Sequence, residues 1–157
     1  MKTAITNIII AGLGGQGVLK ASDIVAEAAF RSGYDVKKAE VHGMSQRGGS
    51  VASDVRYGQR VLSPMVPSGE ADFLVVLAAD QVDVHRGQLR PDGTLIEPSV
   101  VPESALRNKK SVNVFLLGVL SRSLTISEDD WFEGIRAALP EKLHDVNLEA
   151  FRSGRSL

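Results

Sequence analysis

The apolar positions of this chain fall first into one short, nearly unbroken run and then into a helical stripe. Residues 5–11 carry three successive isoleucines and are followed by Gly12, which predicts a strand covered on both faces, as in a parallel sheet. Val18, Leu19, Ile24, Val25, Ala28 and Ala29 then recur at helical spacing as far as Gly33, predicting an amphipathic helix closed by a C-terminal glycine. Residues 35–41 predict a second strand. Strand, glycine loop, helix and strand in this order make a right-handed βαβ unit, the opening of a doubly wound α/β fold.

Farther along, residues 50–56 alternate, with Val51, Ser53 and Val55 on one face and Ser50, Asp54 and Arg56 on the other. Tyr57-Gly58-Gln59 supplies a turn before Arg60-Val61-Leu62, so the pattern predicts a hairpin at the sheet edge, stopped by Pro64 and Pro67. Residues 73–79 are the most apolar stretch and predict a central strand. Pro91-Asp92-Gly93 predicts a turn, with a short strand at 94–96 behind it. From residue 111 the pattern turns helical, over 114–124, from Ser127 through 139, and over 141–151. Ser127 and Asp130 have capping-box spacing, with Asp in place of the preferred Glu.

Composition narrows the function. The chain has 157 residues, which predicts one domain over 1–157. It has no Cys, so it holds no disulfide, thiolate metal site, thiol nucleophile or cysteine-ligated iron–sulfur cluster of its own. Eighteen basic against 19 acidic side chains give a net charge of −1, without the basic excess that nucleic acid demands. The apolar run at 8–13 is short, passes into glycines and has no small-residue cleavage pattern, so it does not read as a signal peptide. No run approaches the ~18 apolar residues of a membrane span. A cytoplasmic protein is expected.

Two segments carry candidate chemistry. Gly12-Leu13-Gly14-Gly15-Gln16-Gly17 fits G-x-G-x-x-G between a predicted strand and helix, where glycines admit a ligand to the backbone and the helix N-terminus attracts an anion. The cofactor-binding candidates are therefore Gly12, Gly14, Gly15, Gln16 and Gly17. A dinucleotide reading also needs an acid about 20 residues farther on, and Glu40 stands 23 after Gly17. The plainer reading is a glycine turn that packs helix against strand.

The second segment is Glu40-Val41-His42-Gly43-Met44-Ser45-Gln46-Arg47-Gly48-Gly49-Ser50. If the first two strands run parallel, this loop leaves the same sheet edge as the glycine loop, making the two neighbours at the edge where open α/β sheets bind ligands. His42, Ser45, Gln46, Arg47, Gly48 and Gly49 are the candidate active-site residues, with the Arg47 fork suited to phosphate or carboxylate. Solvated surface polarity is the plainer alternative. His85 and His144 read as exposed helix residues. The three histidines have no metal-ligand spacing, and no metal site is expected.

Together the words Asn7-Ile8-Ile9-Ile10-Ala11-Gly12-Leu13-Gly14-Gly15-Gln16-Gly17 and His42-Gly43-Met44-Ser45-Gln46-Arg47-Gly48-Gly49 resemble the gamma subunit or domain of the 2-oxoacid:ferredoxin oxidoreductases. Within that family the second is most similar to the beta subunits of the indolepyruvate oxidoreductases. Ser63-Pro64 and Gly69-Glu70-Ala71-Asp72 add to the likeness, which is strong over 7–80 and looser in the helical tail.

The resemblance implies a three-layer α/β/α sandwich with a Rossmann-like, mostly parallel sheet. It implies a subunit of an enzyme that decarboxylates a 2-oxoacid, indolepyruvate or another aryl pyruvate, on thiamine diphosphate. That enzyme reduces ferredoxin through iron–sulfur clusters and forms acyl-coenzyme A. This chain lacks the G-D-G and N-N thiamine motif and the cluster cysteines, so both cofactors belong to a larger catalytic partner and the isolated chain is expected to be inactive. A partner-dependent chain is expected to expose an apolar patch, edged by Met44, Met65 and Val66, and could bury it in a homodimer when isolated. The rival readings are a stand-alone dinucleotide-binding protein using Glu40 and an interaction module without a ligand.

Overall fold

The computed structural model describes residues 4–42 and 49–157, and of His42 the backbone alone. Five strands, β1 (Thr6–Leu13), β2 (Asp35–His42), β3 (Ser50–Gly58), β4 (Ala71–Val76) and β5 (Leu89–Ile96), form one open sheet in the order β2-β3-β1-β4-β5. The helices are α1 (Val18–Arg31), the single turn α2 (Val82–His85), α3 (Val112–Ser121), α4 (Glu128–Ala138) and α5 (His144–Arg155). The α/β fold with a helical C-terminal section is as expected.

Strand alternation divides the core in two. Ile8, Ile10, Val55 and Val75 face α1 and α3, and α4 and α5 pack behind these against α1 and α3 respectively. Ile9, Ala11, Ala52, Leu74 and Val76 face the other way, toward Val66 and Val82 in a thin cover of loop and short turns. Each fully buried isoleucine or leucine in these layers stabilises the fold by about 1.5–3 kcal/mol. Ser127 caps α4 as its spacing predicts, its Oγ accepting from the Asp130 N–H at 3.2 Å.

Three details differ from the sequence reading. First, β1 and β2 are not neighbours: both pair antiparallel with β3, which lies between them. They nevertheless point the same way, because each opposes the same strand. Second, the edge hairpin is β2–β3, and Arg60-Val61-Leu62 lies outside the strands. Its backbone is held elsewhere: Val61 N–H donates to Asp35 Oδ2 at 2.8 Å, Val66 N–H to Asp54 Oδ2 at 2.9 Å, and Arg56 reaches the Ser63 carbonyl at 2.8 Å. Third, Pro91-Asp92-Gly93 is absorbed into β5 as an irregularity between the pairs Ala71–Leu89 and Phe73–Thr94.

The exposed patch also differs in membership. Met65 is 55% exposed and Leu62 80%, whereas Val66 is only 7% exposed because it seats against the sheet. Met44 lies outside the described residues. No helix among the described residues is long and apolar enough to cross a membrane.

Candidate functional site

At the carboxyl end of β1 the backbone must turn sharply into α1. Gln16 makes the turn self-supporting: its Oε1 accepts from Leu13 N–H at 2.7 Å, while its own N–H donates to the Leu13 carbonyl at 3.2 Å. Gly17 caps α1 with φ 83°, a left-handed conformation that costs other residues roughly 1–2 kcal/mol. A Cβ there would also lie 2.5 Å from Asn113 Nδ2. The Asn113 amide donates to the Gly17 carbonyl at 3.2 Å and so ties the start of α3 to the start of α1.

Among the described residues no side chain caps α1, and its first turn holds no acid. The N–H groups of Val18, Leu19 and Lys20 precede the first helical donor, Ala21 N–H, which bonds the Gly17 carbonyl at 3.0 Å, and with the positive end of the helix dipole they suit an anion. Clefts open on both sides of this loop. One, of about 330 Å³, is bounded by Leu13, Gly14, Val18, Leu19 and Val51. The other, of about 550 Å³, is bounded by Gly15, Gln16, Leu77, Pro98, Lys109, Lys110 and Asn113. The second thus brings two lysines to the starts of two helices. A further groove of about 470 Å³ between α1, β2 and α4 holds Lys20, Asp23 and Lys38. Its charges are already used, with Lys38 paired to Asp23 and Lys20 donating to the Ala138 carbonyl.

The neighbouring loop meets the glycine loop directly, as Gly14 N–H donates to the Gly49 carbonyl at 2.9 Å. Of the loop candidates, Gly49 is thereby placed; the His42 side chain, Ser45, Gln46, Arg47 and Gly48 lie outside the described residues. Glu40 does not reach the glycine loop. It pairs with Lys38 at 3.2 Å on β2, two strand spacings of ~4.8 Å each from β1. The ribose-binding acid of the dinucleotide arrangement therefore has no counterpart at Glu40.

Sequence reasoning missed two groups. Lys109, Lys110 and Asn113 were not singled out. Their signal was Asn108-Lys-Lys-Ser111 at a helix start, but its placement depends on how residues 97–111 cross the sheet edge. The second group is a polar set under the Gly14–Gly49 contact. Ser50 Oγ donates to Gln81 Oε1 at 2.7 Å and lies 3.3 Å from His85 Nε2. His85 is half-buried rather than exposed, and burial lowers its pKa below the usual 6.5, leaving the ring neutral at pH 7. The usable signal was the i,i+4 spacing of Gln81 and His85 just past the carboxyl end of the most apolar strand. His144 also departs from a solvated face: its Nε2 contacts the Leu139 carbonyl at 2.7 Å and the Arg136 carbonyl at 3.1 Å, finishing the C-terminus of α4.

Comparison with known proteins adds the lineage of this site. Residues 7–157 match the family described as pyruvate ferredoxin/flavodoxin oxidoreductase. Indolepyruvate oxidoreductase subunit IorB of Thermococcus kodakarensis is 35% identical, over 94% of this chain and 93% of that protein. That alignment runs to 190 positions, so the relative carries segments this shorter chain lacks. The gamma subunit of a keto/oxoacid ferredoxin oxidoreductase from Geobacter sulfurreducens superposes with TM-score 0.80 at 24% identity, covering 96% of both chains. The 2-oxoglutarate:ferredoxin oxidoreductase of Magnetococcus marinus, with 2-oxoglutarate, coenzyme A and succinyl-CoA bound, superposes with TM-score 0.82 at 21% identity. It does so over 99% of this chain and 31% of that one; at these identities both structures speak to the fold.

Proposed function

Because the chain belongs to the pyruvate ferredoxin/flavodoxin oxidoreductase family, we propose that it is the coenzyme A-facing subunit of a 2-oxoacid:ferredoxin oxidoreductase. Its glycine loop and Lys109–Lys110 cleft would hold the phosphates. The observation that carries this reading is the cleft in which Lys109 and Lys110 stand beside the Gly15–Gly17 turn and Asn113. The cleft suits a pyrophosphate, whose charge the two ammonium groups would offset and which the glycine backbone would let approach closely, while Val18, Leu19 and Lys20 line the cleft on the other side of the loop. Asn113 acts indirectly, its amide already spent on Gly17 and Val114, and Gln16 Oε1 is likewise held by the turn.

With no Cys and no thiamine motif, this chain does not fit iron–sulfur clusters or thiamine diphosphate, and both are assigned to a larger catalytic partner. Bound there, thiamine diphosphate would supply the carbanion chemistry of 2-oxoacid decarboxylation and the clusters a route for electrons toward ferredoxin. This chain's part is to bind and orient the acyl acceptor. His42, Ser45, Gln46, Arg47, Gly48 and Gly49 are proposed as the chain's further ligand- or partner-contacting residues. Likeness to IorB favours indolepyruvate or another aryl pyruvate as the 2-oxoacid. We take residues 1–157 as one domain of a cytoplasmic hetero-oligomer.

The test is the double variant Lys109→Ala/Lys110→Ala in the assembled complex. The KM for coenzyme A should rise about tenfold or more, most steeply at low salt, where exposed charges act over the longest range. Turnover at saturating coenzyme A and the KM for the 2-oxoacid should hold. An unchanged KM for coenzyme A would refute the assignment.

A further inference from the structure

Gln81 and His85 lie outside every motif assigned above, yet both contact Ser50 at the root of the second loop. Ser50 is the residue after Gly49, pairs with Leu13 at the end of β1, and stands beside the Gly14–Gly49 hydrogen bond. A serine hydroxyl has one proton. With that proton given to Gln81 Oε1 at 2.7 Å, the 3.3 Å contact to His85 Nε2 makes the imidazole the donor. The chain of donation therefore runs from His85 to Ser50 to Gln81. The histidine projects from α2, a single helical turn whose one buried apolar anchor is Val82. Asp83 and Val84 on the same turn face solvent, so His85 and Gln81 supply its polar attachment to the sheet.

We propose that His85 is a positioning residue for the glycine loop: through Ser50 it fixes the Gly49 carbonyl against Gly14 N–H and so sets how closely the start of β3 approaches that loop. Removing the imidazole deletes a donor that Ser50 Oγ accepts from, which frees the β3 end to move away from β1 while the helical core on the opposite face is untouched. Glutamine at 85 keeps an N–H donor of similar reach. The proposal rests on the functional reading only for its consequence in turnover.

The experiment compares His85→Ala and His85→Gln. In the isolated full chain, amide hydrogen exchange should accelerate about tenfold at Gly14 in His85→Ala, with Ile8 to Ile10 of β1 unchanged, and should return to normal in His85→Gln. Uniform acceleration along β1, or an unchanged Gly14, overturns the proposal. In the assembled complex, His85→Ala should raise the KM for coenzyme A severalfold while preserving turnover at saturation, and His85→Gln should restore it. If Gly14 loosens while that KM stays fixed, the positioning role stands and the coenzyme A assignment falls.

Discussion

The chain uses glycine for opposite ends in two places. At the carboxyl edge of the sheet, Gly15 and Gly17 take φ 87° and 83° so that backbone donors stay open. Where α3 crosses α5, Gly118 abuts the Phe151 carbonyl and Gly154 abuts the Phe115 carbonyl, so that the missing side chains let two helices touch backbone to backbone. The first arrangement spends packing to leave a surface exposed; the second spends exposure to gain packing. Glycine content alone therefore does not mark a ligand site; the site proposed here adds to it positive φ at Gly15 and Gly17 and the start of α1.

The contrast can be broken at either end. The largest effect should come from Gly154→Ala, whose Cβ would overlap the Phe115 carbonyl with no flexible neighbour to yield. A loss of about 3 kcal/mol is expected, which calorimetry would read as a fall in Tm of about 6–12 °C for a domain of this length. Ligand affinity, measured where the variant is folded, should not change. Gly17→Ala should do the reverse. Strain at φ 83° and crowding of the Asn113 amide would cost about 1–2 kcal/mol in stability, with a disproportionate loss of coenzyme A affinity in the assembled complex. Equal damage to stability and no damage to affinity would remove the distinction between the two glycine regions.

The smallest effect sharpens the account of the thinly covered sheet face. Asp54 sits almost wholly buried there, its carboxylate accepting from Val66 N–H, and burial holds its pKa above 3.8. A carboxyl group with a raised folded-state pKa keeps its proton better in the folded than in the unfolded chain. Its contribution to stability is therefore fullest below pH 3.8 and is lost as pH rises through the folded value. Asp54→Asn keeps an acceptor for Val66 and removes the buried charge, so a rise in Tm of about 2 °C is expected at pH 7, shrinking to nothing near pH 3. A variant less stable at pH 7 than at pH 3, relative to the parent, would contradict this.

Much of the fold was legible in the sequence because it is written in local terms. The isoleucine run, the helical stripe ending at Gly33 and the Ser127 cap each name their own element. Neighbour choice is not local. Alternation in residues 50–56 says which side chains share a face, but not that the strand will pair with β2 rather than with Arg60 to Leu62. That outcome turns on Asp35 and Asp54 capturing the Val61 and Val66 N–H groups across the sheet. The candidate site was half legible for the same reason. Its glycine loop is a contiguous word, whereas the Gly14–Gly49 contact continues the antiparallel β1–β3 pairing beyond Leu13 and Ser50, a neighbour choice that the alternation of residues 50–56 does not state. Lys109, Lys110 and His85 reach the site from separate segments, and a single helical turn such as α2 is too short to show a period.

The most direct test of the account is co-purification of the tagged chain from its native cell, with an absorbance spectrum and an assay for 2-oxoacid- and coenzyme A-dependent dye reduction. The account predicts a coloured complex in which a larger chain brings thiamine diphosphate and iron–sulfur clusters, with reduction dependent on both substrates. A colourless chain purified alone, with a bound dinucleotide and no such activity, would contradict it.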